Sequence, residues 1–153
     1  MAKNTIKLKK YLDIIEEYVA VAAITPGMLV ELTSADKVQK HSTASGNAVP
    51  MFALEDELQG KGIADAYAAD DQVQVWVAQR GEQVNALLAD GEDASIGEFL
   101  CSNGDGFLKC YAVASGEPDY YNQIVAIALE AINRSTSSGG DTNVTGRIKV
   151  MVV

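Results

Sequence analysis

Few residues of this 153-residue chain could carry out catalysis or bind a metal, and they are scattered along the sequence. The sole histidine, His41, has no candidate nucleophile near it, so no activated nucleophile is predicted. Its polar setting at the edge of a loop predicts a solvent-exposed side chain. The two cysteines and this distant histidine supply at most three ligands, at no standard zinc spacing. We therefore predict no catalytic residue, no metal site and no bound cofactor.

The two cysteines, Cys101 and Cys110, flank a turn signal at residues 103–106, Asn-Gly-Asp-Gly. If that segment is a four-residue hairpin loop, the cysteines are diagonal neighbours on one face of a sheet, roughly 7–8 Å apart. This separation is long for a disulfide, and synthesis in the cytosol also disfavours one, so two free thiols are expected. The turn resembles a calcium loop, but Cys101 stands where an EF-hand has its first aspartate. A plain hairpin turn is preferred.

Clusters of acids at residues 55–57 and 70–71 could pair as the acid and base of a glycosidase. Acids at strand ends more often lie in solvated turns, and we prefer that interpretation.

Residues 60–62, Gly-Lys-Gly, lack the spacing of a phosphate-binding loop. Aromatic residues could form a stacking platform for bases or sugars, although aromatics in strands are usually core residues or cross-strand pairs. These residues are Tyr67, Trp76, Tyr111, Tyr120 and Tyr121.

The charge of the chain argues against a nucleic-acid partner, because the net charge is −9 and phosphate binding needs clustered lysine and arginine. Residues 1–10 are the exception, with four lysines and no acid. No apolar run approaches the roughly 18 residues of a membrane span. Acids at residues 13, 16 and 17 interrupt the stretch where a signal peptide would need a continuous apolar region. We therefore predict synthesis in the cytoplasm and no membrane partner.

Short apolar runs separated by turn signals predict the elements that position these residues. Residues 72–78 are the clearest strand, with valines at a strict period of two. Thr-Pro-Gly at residues 25–27 predicts a type II turn. Residues 48–54 are typical of a buried strand, and Pro50 favours a position at a sheet edge or at a bulge. Residues 124–132 fit a helix or a strand, and we prefer a strand because the neighbouring strands are of similar length. Further strands are expected at residues 28–32, 38–41, 83–89, 99–101, 107–113 and 147–153.

The start of the chain is open to two interpretations. Apolar residues between residues 6 and 23 recur at spacings of three and four, which favours a helical face, whereas residues 18–24 also fit a strand. We assign residues 1–17 to an N-terminal arm and residues 18–153 to a single domain. Turn signals every 8–12 residues are typical of all-β barrels and sandwiches. The predicted fold is therefore all-β, a small β-barrel-like domain with an N-terminal arm and few or no helices.

Six groups of residues, in the order in which they occur, carry a resemblance to a known family. They are residues 23–31, 60–63 with 66–67, 89–92, 96–100, 126–130 and 147–150. Together they resemble the capsid decoration proteins of tailed bacteriophages, also called head cement or stabilisation proteins. The resemblance implies a β-tulip-like core and a structural virion protein without enzymatic activity. It also implies homotrimers on the capsid exterior, at three-fold and quasi-three-fold positions, which bind the major capsid protein and stabilise the expanded head.

With this resemblance, the N-terminal arm is predicted to contact the capsid. Its lysines and apolar residues could pair with a sheet edge or an acidic groove of the shell. An arm that caps its own domain, or swaps within a trimer, stays open as an alternative. The predicted capsid-binding residues are Lys3, Ile6, Lys7, Leu8, Lys9, Lys10 and Tyr11.

Other functions remain open at this point. One is a minor capsid or tail structural protein built on a similar domain. Another is a small-ligand or carrier-type β-barrel, because residues 91–107 resemble the turn-rich half of a biotinyl or lipoyl domain. Carriers of that kind need a lysine at a hairpin tip, whereas Lys109 lies inside a predicted strand. A hydrolase fragment is disfavoured by the shortage of catalytic groups.

Overall fold

The computed structural model describes residues 14–112, 121–135 and 146–153 of the chain. Within these ranges the backbone is almost entirely strand and turn, and its helical elements are two short 3-10 helices, Glu57–Gln59 and Tyr121–Gln123. The prediction of an all-β fold is confirmed. The strands are β1 Ile14–Ala20, β2 Val30–Leu32, β3 Lys37–Lys40, β4 Met51–Ala53, β5 Gln72–Val77, β6 Gln83–Leu87, β7 Asp93–Ala94, β8 Phe99–Ser102, β9 Leu108–Cys110, β10 Ile124–Ala128, β11 Ile132–Asn133 and β12 Arg147–Val152.

Five strands form the first sheet, sheet I, in the order β2-β3-β1-β5-β4. The valines that predicted β5 point inward as expected, and Val73 and Val75 are fully buried. Strand β1 pairs antiparallel with β5 along its length, from Ile14 opposite Val77 to Val19 opposite Gln72. On its other side β1 runs parallel to β3. The inward face of sheet I therefore surrounds its own hydrophobic core.

A second five-stranded sheet, sheet II, has the order β6-β12-β10-β8-β9, and β7 and β11 form a separate two-stranded ladder. Strand β12 has the predicted alternation, because Ile148, Val150 and Val152 are buried and the residues between them are more exposed. Strand β10 covers Ile124–Ala128, which confirms the preference for a strand over a helix in that segment. Sheet II thus has a separate core of its own.

Neither sheet closes into a barrel, so that part of the expectation was wrong. In sheet I, the opposite edges meet at a single bridge between Leu29 and Phe52. In sheet II, the edges meet at a single bridge between Leu88 and Leu108. One bridge does not make a ladder, and closure of a barrel needs continuous pairing between the first and last strands. The two sheets are instead joined by side chains that cross between their cores, since Leu29 and Phe52 from sheet I pack in the core of sheet II.

One predicted turn and one predicted edge strand are confirmed by the backbone. Gly27 has φ +90°, and the Met28 amide donates to the Thr25 carbonyl at 3.1 Å, which is the geometry of a type II turn. A Cβ at Gly27 would lie 2.9 Å from the Asn85 carbonyl oxygen, so glycine is needed for the close approach as well as for the conformation. Strand β4, which follows Pro50, is an edge strand of sheet I as predicted.

The hairpin between β8 and β9 differs from the expected register by one residue. Ser102 pairs with Leu108 and Cys101 pairs with Lys109, so the loop has five residues rather than four. Because side chains alternate between faces, a shift of one residue moves Cys110 to the face opposite Cys101. Both cysteines are free, as predicted, and the pairing explains why a disulfide between them is not formed.

The boundary of the N-terminal arm also differs from the sequence assignment. Residues 14–17, which were assigned to the arm, lie in β1 and pair with β5. Residues 1–13 lie outside the described part of the chain. The sheet therefore begins four residues earlier than the sequence pattern indicated, because β1 continues as far as its partner strand does.

Candidate interaction surface

The predicted capsid-binding residues all lie outside the part of the chain that the structure describes, so their contact with a capsid stays a prediction. They are Lys3, Ile6, Lys7, Leu8, Lys9, Lys10 and Tyr11. The described residues nonetheless show where this segment is attached. It leads directly into Ile14, the first residue of β1.

The prediction that His41 is exposed was wrong, because its side chain lies between the two sheets and is 2% exposed. The ring Nδ1 lies 2.7 Å from the Ser102 hydroxyl oxygen, and the ring Nε2 lies 3.1 Å from the Asn47 carbonyl oxygen. A carbonyl only accepts, so a neutral ring that donates from Nε2 to Asn47 and accepts from Ser102 at Nδ1 satisfies both nitrogens. The Ser102 hydroxyl oxygen also accepts from the Gly104 amide at 3.0 Å. Every polar atom in this contact is therefore paired.

Backbone hydrogen bonds on either side of His41 also join the two sheets at this point. The His41 amide donates to the Leu29 carbonyl at 2.9 Å, the Leu29 amide donates to the Gly106 carbonyl at 2.8 Å, and the Gly106 amide donates to the His41 carbonyl at 3.2 Å. The first bond joins the residues that flank β2 and β3 in sheet I, and the other two connect these residues with the β8–β9 loop of sheet II. We refer to Leu29, His41, Phe52 and Ser102 as the junction.

Glu31 lies at the outer side of the junction, and its Oε2 is 3.6 Å from the His41 Nε2. Its Oε1 accepts from the Gln39 side chain at 2.7 Å and from the Ser42 hydroxyl at 2.7 Å. Burial by itself raises the pKa of Glu31, but the hydrogen bonds from Ser42 and Gln39 outweigh this effect, and the pKa is lowered from its ordinary value. The carboxylate is therefore held in its charged form.

Serine, histidine and glutamate in contact are the residue types of an acyl-transfer triad, so the junction has to be considered as a catalytic site. Ser102 is fully buried, however, and its hydroxyl is occupied by His41 and the Gly104 amide. A small pocket of about 210 Å³ reaches His41 and Glu31, but Ser102 does not line it. A substrate has no route to the hydroxyl in this structure, and the three residues act as a packed connection between the sheets.

Other residues that the sequence analysis considered for calcium binding, catalysis or stacking lie in turns or in the core. Asp105 accepts from the Phe107 amide at 3.1 Å within the hairpin loop, and Gly104 and Gly106 have positive φ, so the plain-turn interpretation is confirmed. Asp71 caps a turn by accepting from the Ala68 amide at 2.8 Å. Tyr67 is a core residue whose hydroxyl donates to the Leu54 carbonyl at 2.8 Å. Among the described residues, no group of three metal-ligating side chains is present, and no helix has the length and apolar character to cross a membrane.

The thiols are held in their neutral form. Burial raises the pKa of Cys101, and the contact with Ser45 opposes this effect. The pKa of Cys110 is raised to about 12 by burial, with added contributions from the hydrogen bond to Glu92 and the charge of Glu98. A thiol is nucleophilic only as the thiolate, so neither cysteine is prepared for chemistry near neutral pH.

The most distinctive surface is a groove on the outer face of sheet I, with a volume of about 400 Å³. Leu58 is 87% exposed and Ile15 is 49% exposed, although both are large apolar residues. Two glutamates lie beside them. We refer to this surface as the acidic groove, and its lining residues are Ile15, Leu54, Glu55, Glu57, Leu58 and Gln74.

One wall of the groove is a loop that follows β4 and contains the 3-10 helix Glu57–Gln59. The Asp56 carboxylate accepts from the Gln59 amide at 3.3 Å and caps this helix, and Gly60 ends it with φ +72°. Leu58 is thereby placed on a short rigid turn with its side chain in solvent. This is the position that sequence reasoning missed, and the available signal was a lone leucine inside an acidic segment.

Arg147 at the start of β12 holds the far end of the same loop. It donates to the Ile63 carbonyl at 2.5 Å and to the Pro26 carbonyl at 3.0 Å. Burial lowers the pKa of Arg147, and the charge of Glu55 opposes this effect. The guanidinium lines a second cavity of about 150 Å³, which shares Leu54 and Glu55 with the acidic groove. The loop is therefore fixed at both ends and forms a preformed surface.

The comparisons with known proteins give a structural likeness without a sequence match. No protein-family model matches the chain, and no curated protein matches it in sequence. Among solved structures, the fold is similar to the N base of the head fiber protein gp8.5 of bacteriophage phi29, with a TM-score of 0.56 and 11% sequence identity. The likeness covers 92% of this chain and 94% of that chain. At this identity it shows a shared fold.

Proposed function

We propose that the chain is a non-enzymatic structural protein of a tailed-phage virion that binds the outer surface of the capsid. The observation that carries the proposal is the likeness of fold to a phage head fiber base over 92% of the chain. The resemblance of the sequence to capsid decoration proteins supports the same class independently. In this proposal the protein forms trimers at three-fold and quasi-three-fold positions, contacts the major capsid protein and stabilises the expanded head.

The surface chemistry supports a binding role. Exposed apolar side chains on a preformed surface are typical of protein–protein contact sites. Leu58 and Ile15 have this character, and the two ends of the loop that presents Leu58 are fixed by Asp56 and Arg147. Ser102 is buried and the thiols of Cys101 and Cys110 are neutral, so none of these three residues supplies an accessible, activated nucleophile. Binding is therefore favoured over catalysis.

Stabilisation of a shell follows from mass action. A protein that binds the assembled capsid, but not its separated subunits, lowers the free energy of the assembled state by an amount that grows with its concentration relative to Kd. A specific interface of about 800 Å² per partner is the usual size for such a contact. A trimer placed over a three-fold axis makes this contact with several subunits at once and resists their separation.

The test is co-sedimentation of the purified protein with expanded capsids that lack decoration. We expect saturable binding in multiples of three copies per site, together with a trimer mass in light scattering. Decorated capsids should also keep their DNA at a higher temperature than bare capsids. A protein that does not sediment with capsids at concentrations well above 1 µM would contradict the proposal, and capsids already saturated with the protein are the matched control.

A further inference from the structure

The apolar and acidic residues that line the acidic groove indicate which kind of ligand it would bind. Its exposed apolar residues, Leu58 and Ile15, lie beside the carboxylates of Glu55 and Glu57. Glu17 is also exposed and lies opposite Gln74 on the same face of sheet I. A surface of this kind favours a peptide in which apolar and positively charged side chains are interleaved.

Residues 1–13 of the chain have that composition. The apolar side chains Ile6 and Leu8 of this segment alternate with Lys7 and Lys9. The segment ends at Asp13, two residues before Ile15 of the groove. The complementary ligand is therefore attached to the protein at the edge of the groove itself.

The direction of β1 indicates that residues 1–13 would bind the groove of another copy more readily than the groove of their own copy. Strand β1 runs from Ile14 towards Glu17, and Glu17 pairs with Gln74 in the groove. Glu17 and Gln74 lie ahead of Ile14 in the direction of β1, so residues 1–13 could reach Leu58 of the same copy only through a reversal of the chain before Ile14. Thirteen residues can span about 40 Å when extended, which is enough to reach a neighbouring molecule.

We infer that residues 1–13 of one copy occupy the acidic groove of a second copy. Exchange of identical segments around a three-fold axis gives three equal contacts and a closed ring. The inference deepens the proposed function and rests on its trimer. It gives the arm a role in holding the trimer, in place of the predicted contact with the capsid, and leaves capsid binding to the body of the domain.

The first experiment is photo-cross-linking of the full chain in the absence of capsids, with p-benzoylphenylalanine in place of Leu8. Chains labelled with ¹⁴N and ¹⁵N are mixed before irradiation, and the cross-linked peptides are identified by mass spectrometry. We expect peptides that join position 8 to residues 54–58 and that carry one label on each side. Cross-links within a single label only, or cross-links that avoid residues 54–58, would overturn the inference.

The second experiment compares Leu58→Asp with Ile96→Asp, because Ile96 is 70% exposed and lies outside the groove. Both variants should keep the wild-type thermal stability, since neither side chain is buried. We expect Leu58→Asp to weaken self-association about tenfold or more, and Ile96→Asp to leave the mass in light scattering unchanged. An equal mass for Leu58→Asp and wild type would contradict the inference.

Charge reversal provides a check that does not depend on a single variant. Lys7→Glu with Lys9→Glu should weaken association, as should Glu17→Lys with Glu57→Lys. The four substitutions together should restore most of it if these charges meet across the contact. Absence of restoration would show that the lysines bind elsewhere.

Capsid binding is measured separately from these experiments, so the two proposals can fail separately. A protein that cross-links between copies but ignores capsids would overturn the proposed function alone. A protein that binds capsids while its arm cross-links to the major capsid protein would overturn the inference alone.

Discussion

His41 and Ser102 at the junction are 2% and 0% exposed, whereas Leu58 in the acidic groove is 87% exposed. Polar residues are buried at the junction and an apolar residue is exposed in the groove, which is the reverse of what residue type alone indicates. At the junction, each polar atom finds a partner, and a buried polar group costs little when its hydrogen bonds are made. In the groove, the apolar side chain is held in solvent by a capped turn. The comparison shows that the junction serves folding and that the groove is available for a partner.

The largest effect is expected from Phe52, one of the two apolar residues of the junction. It is 1% exposed and packs in the core of sheet II, so Phe52→Ala should lower the free energy of unfolding by about 3–5 kcal/mol. Chemical denaturation measures this change. Val49→Ala, at a residue that is 58% exposed near the same strand, should stay within about 0.5 kcal/mol. Equal effects of the two substitutions would mean that the sheets are not joined at Phe52.

Substitution of His41, one of the two polar residues of the junction, should have an intermediate effect. His41→Ala leaves the buried Ser102 hydroxyl without its ring partner, so we expect a loss of about 1–3 kcal/mol in the free energy of unfolding. An exposed histidine would change stability by less than about 0.5 kcal/mol. Ser102→Ala with His41→Ala should cost less than the sum of the two single variants, because they share one contact. A fully additive result would argue against the bond.

A smaller effect is expected from Glu31, and it depends on pH. Its pKa is lowered in the folded state, so its contribution to stability is complete above the ordinary value of 4.5 and is lost as the pH falls through the folded-state pKa. The wild type should therefore lose stability more steeply below pH 4.5 than Glu31→Gln does. Urea denaturation at a series of pH values measures the difference. Glu57→Gln in the acidic groove is the matched control, and identical profiles for Glu31→Gln and wild type would contradict the role given to Glu31.

The smallest effect on stability is expected in the groove. Leu58→Ala removes a side chain that is mostly in solvent, so the free energy of unfolding should change by no more than about 0.5 kcal/mol. Self-association, measured on the same samples, should weaken. A destabilisation of 2 kcal/mol or more would mean that Leu58 is covered in the monomer and that the contrast between the two regions does not hold.

Much of the fold could be predicted because it depends on local patterns. The valines of β5, the alternation of β12 and the Pro-Gly turn at Gly27 each act through neighbouring residues, and each prediction was confirmed. The loop of the β8–β9 hairpin was predicted one residue too short. A register of this kind is set by pairing across strands, and so by which face each strand buries, which a single segment does not reveal.

The candidate sites depended on contacts between distant residues and could not be predicted in the same way. His41 and Ser102 are 61 positions apart, and nothing near His41 in the sequence indicates that a serine of sheet II would meet it. The acidic groove likewise combines β1, β5 and the loop after β4. The residue types showed what chemistry each side chain could perform, but they did not show which side chains would lie next to one another.

The sequence by itself determined the all-β class, the positions of most strands along the chain, the turn chemistry and the contrast between a lysine-rich start and an acidic remainder. These features follow from composition and short-range periodicity. Only the tertiary structure decided that the sheets stay open, that the lone histidine is buried and that Leu58 faces solvent beside the start of β1. Those outcomes depend on contacts between segments that are distant in the sequence. Such contacts form, and contribute to stability, only in the folded chain.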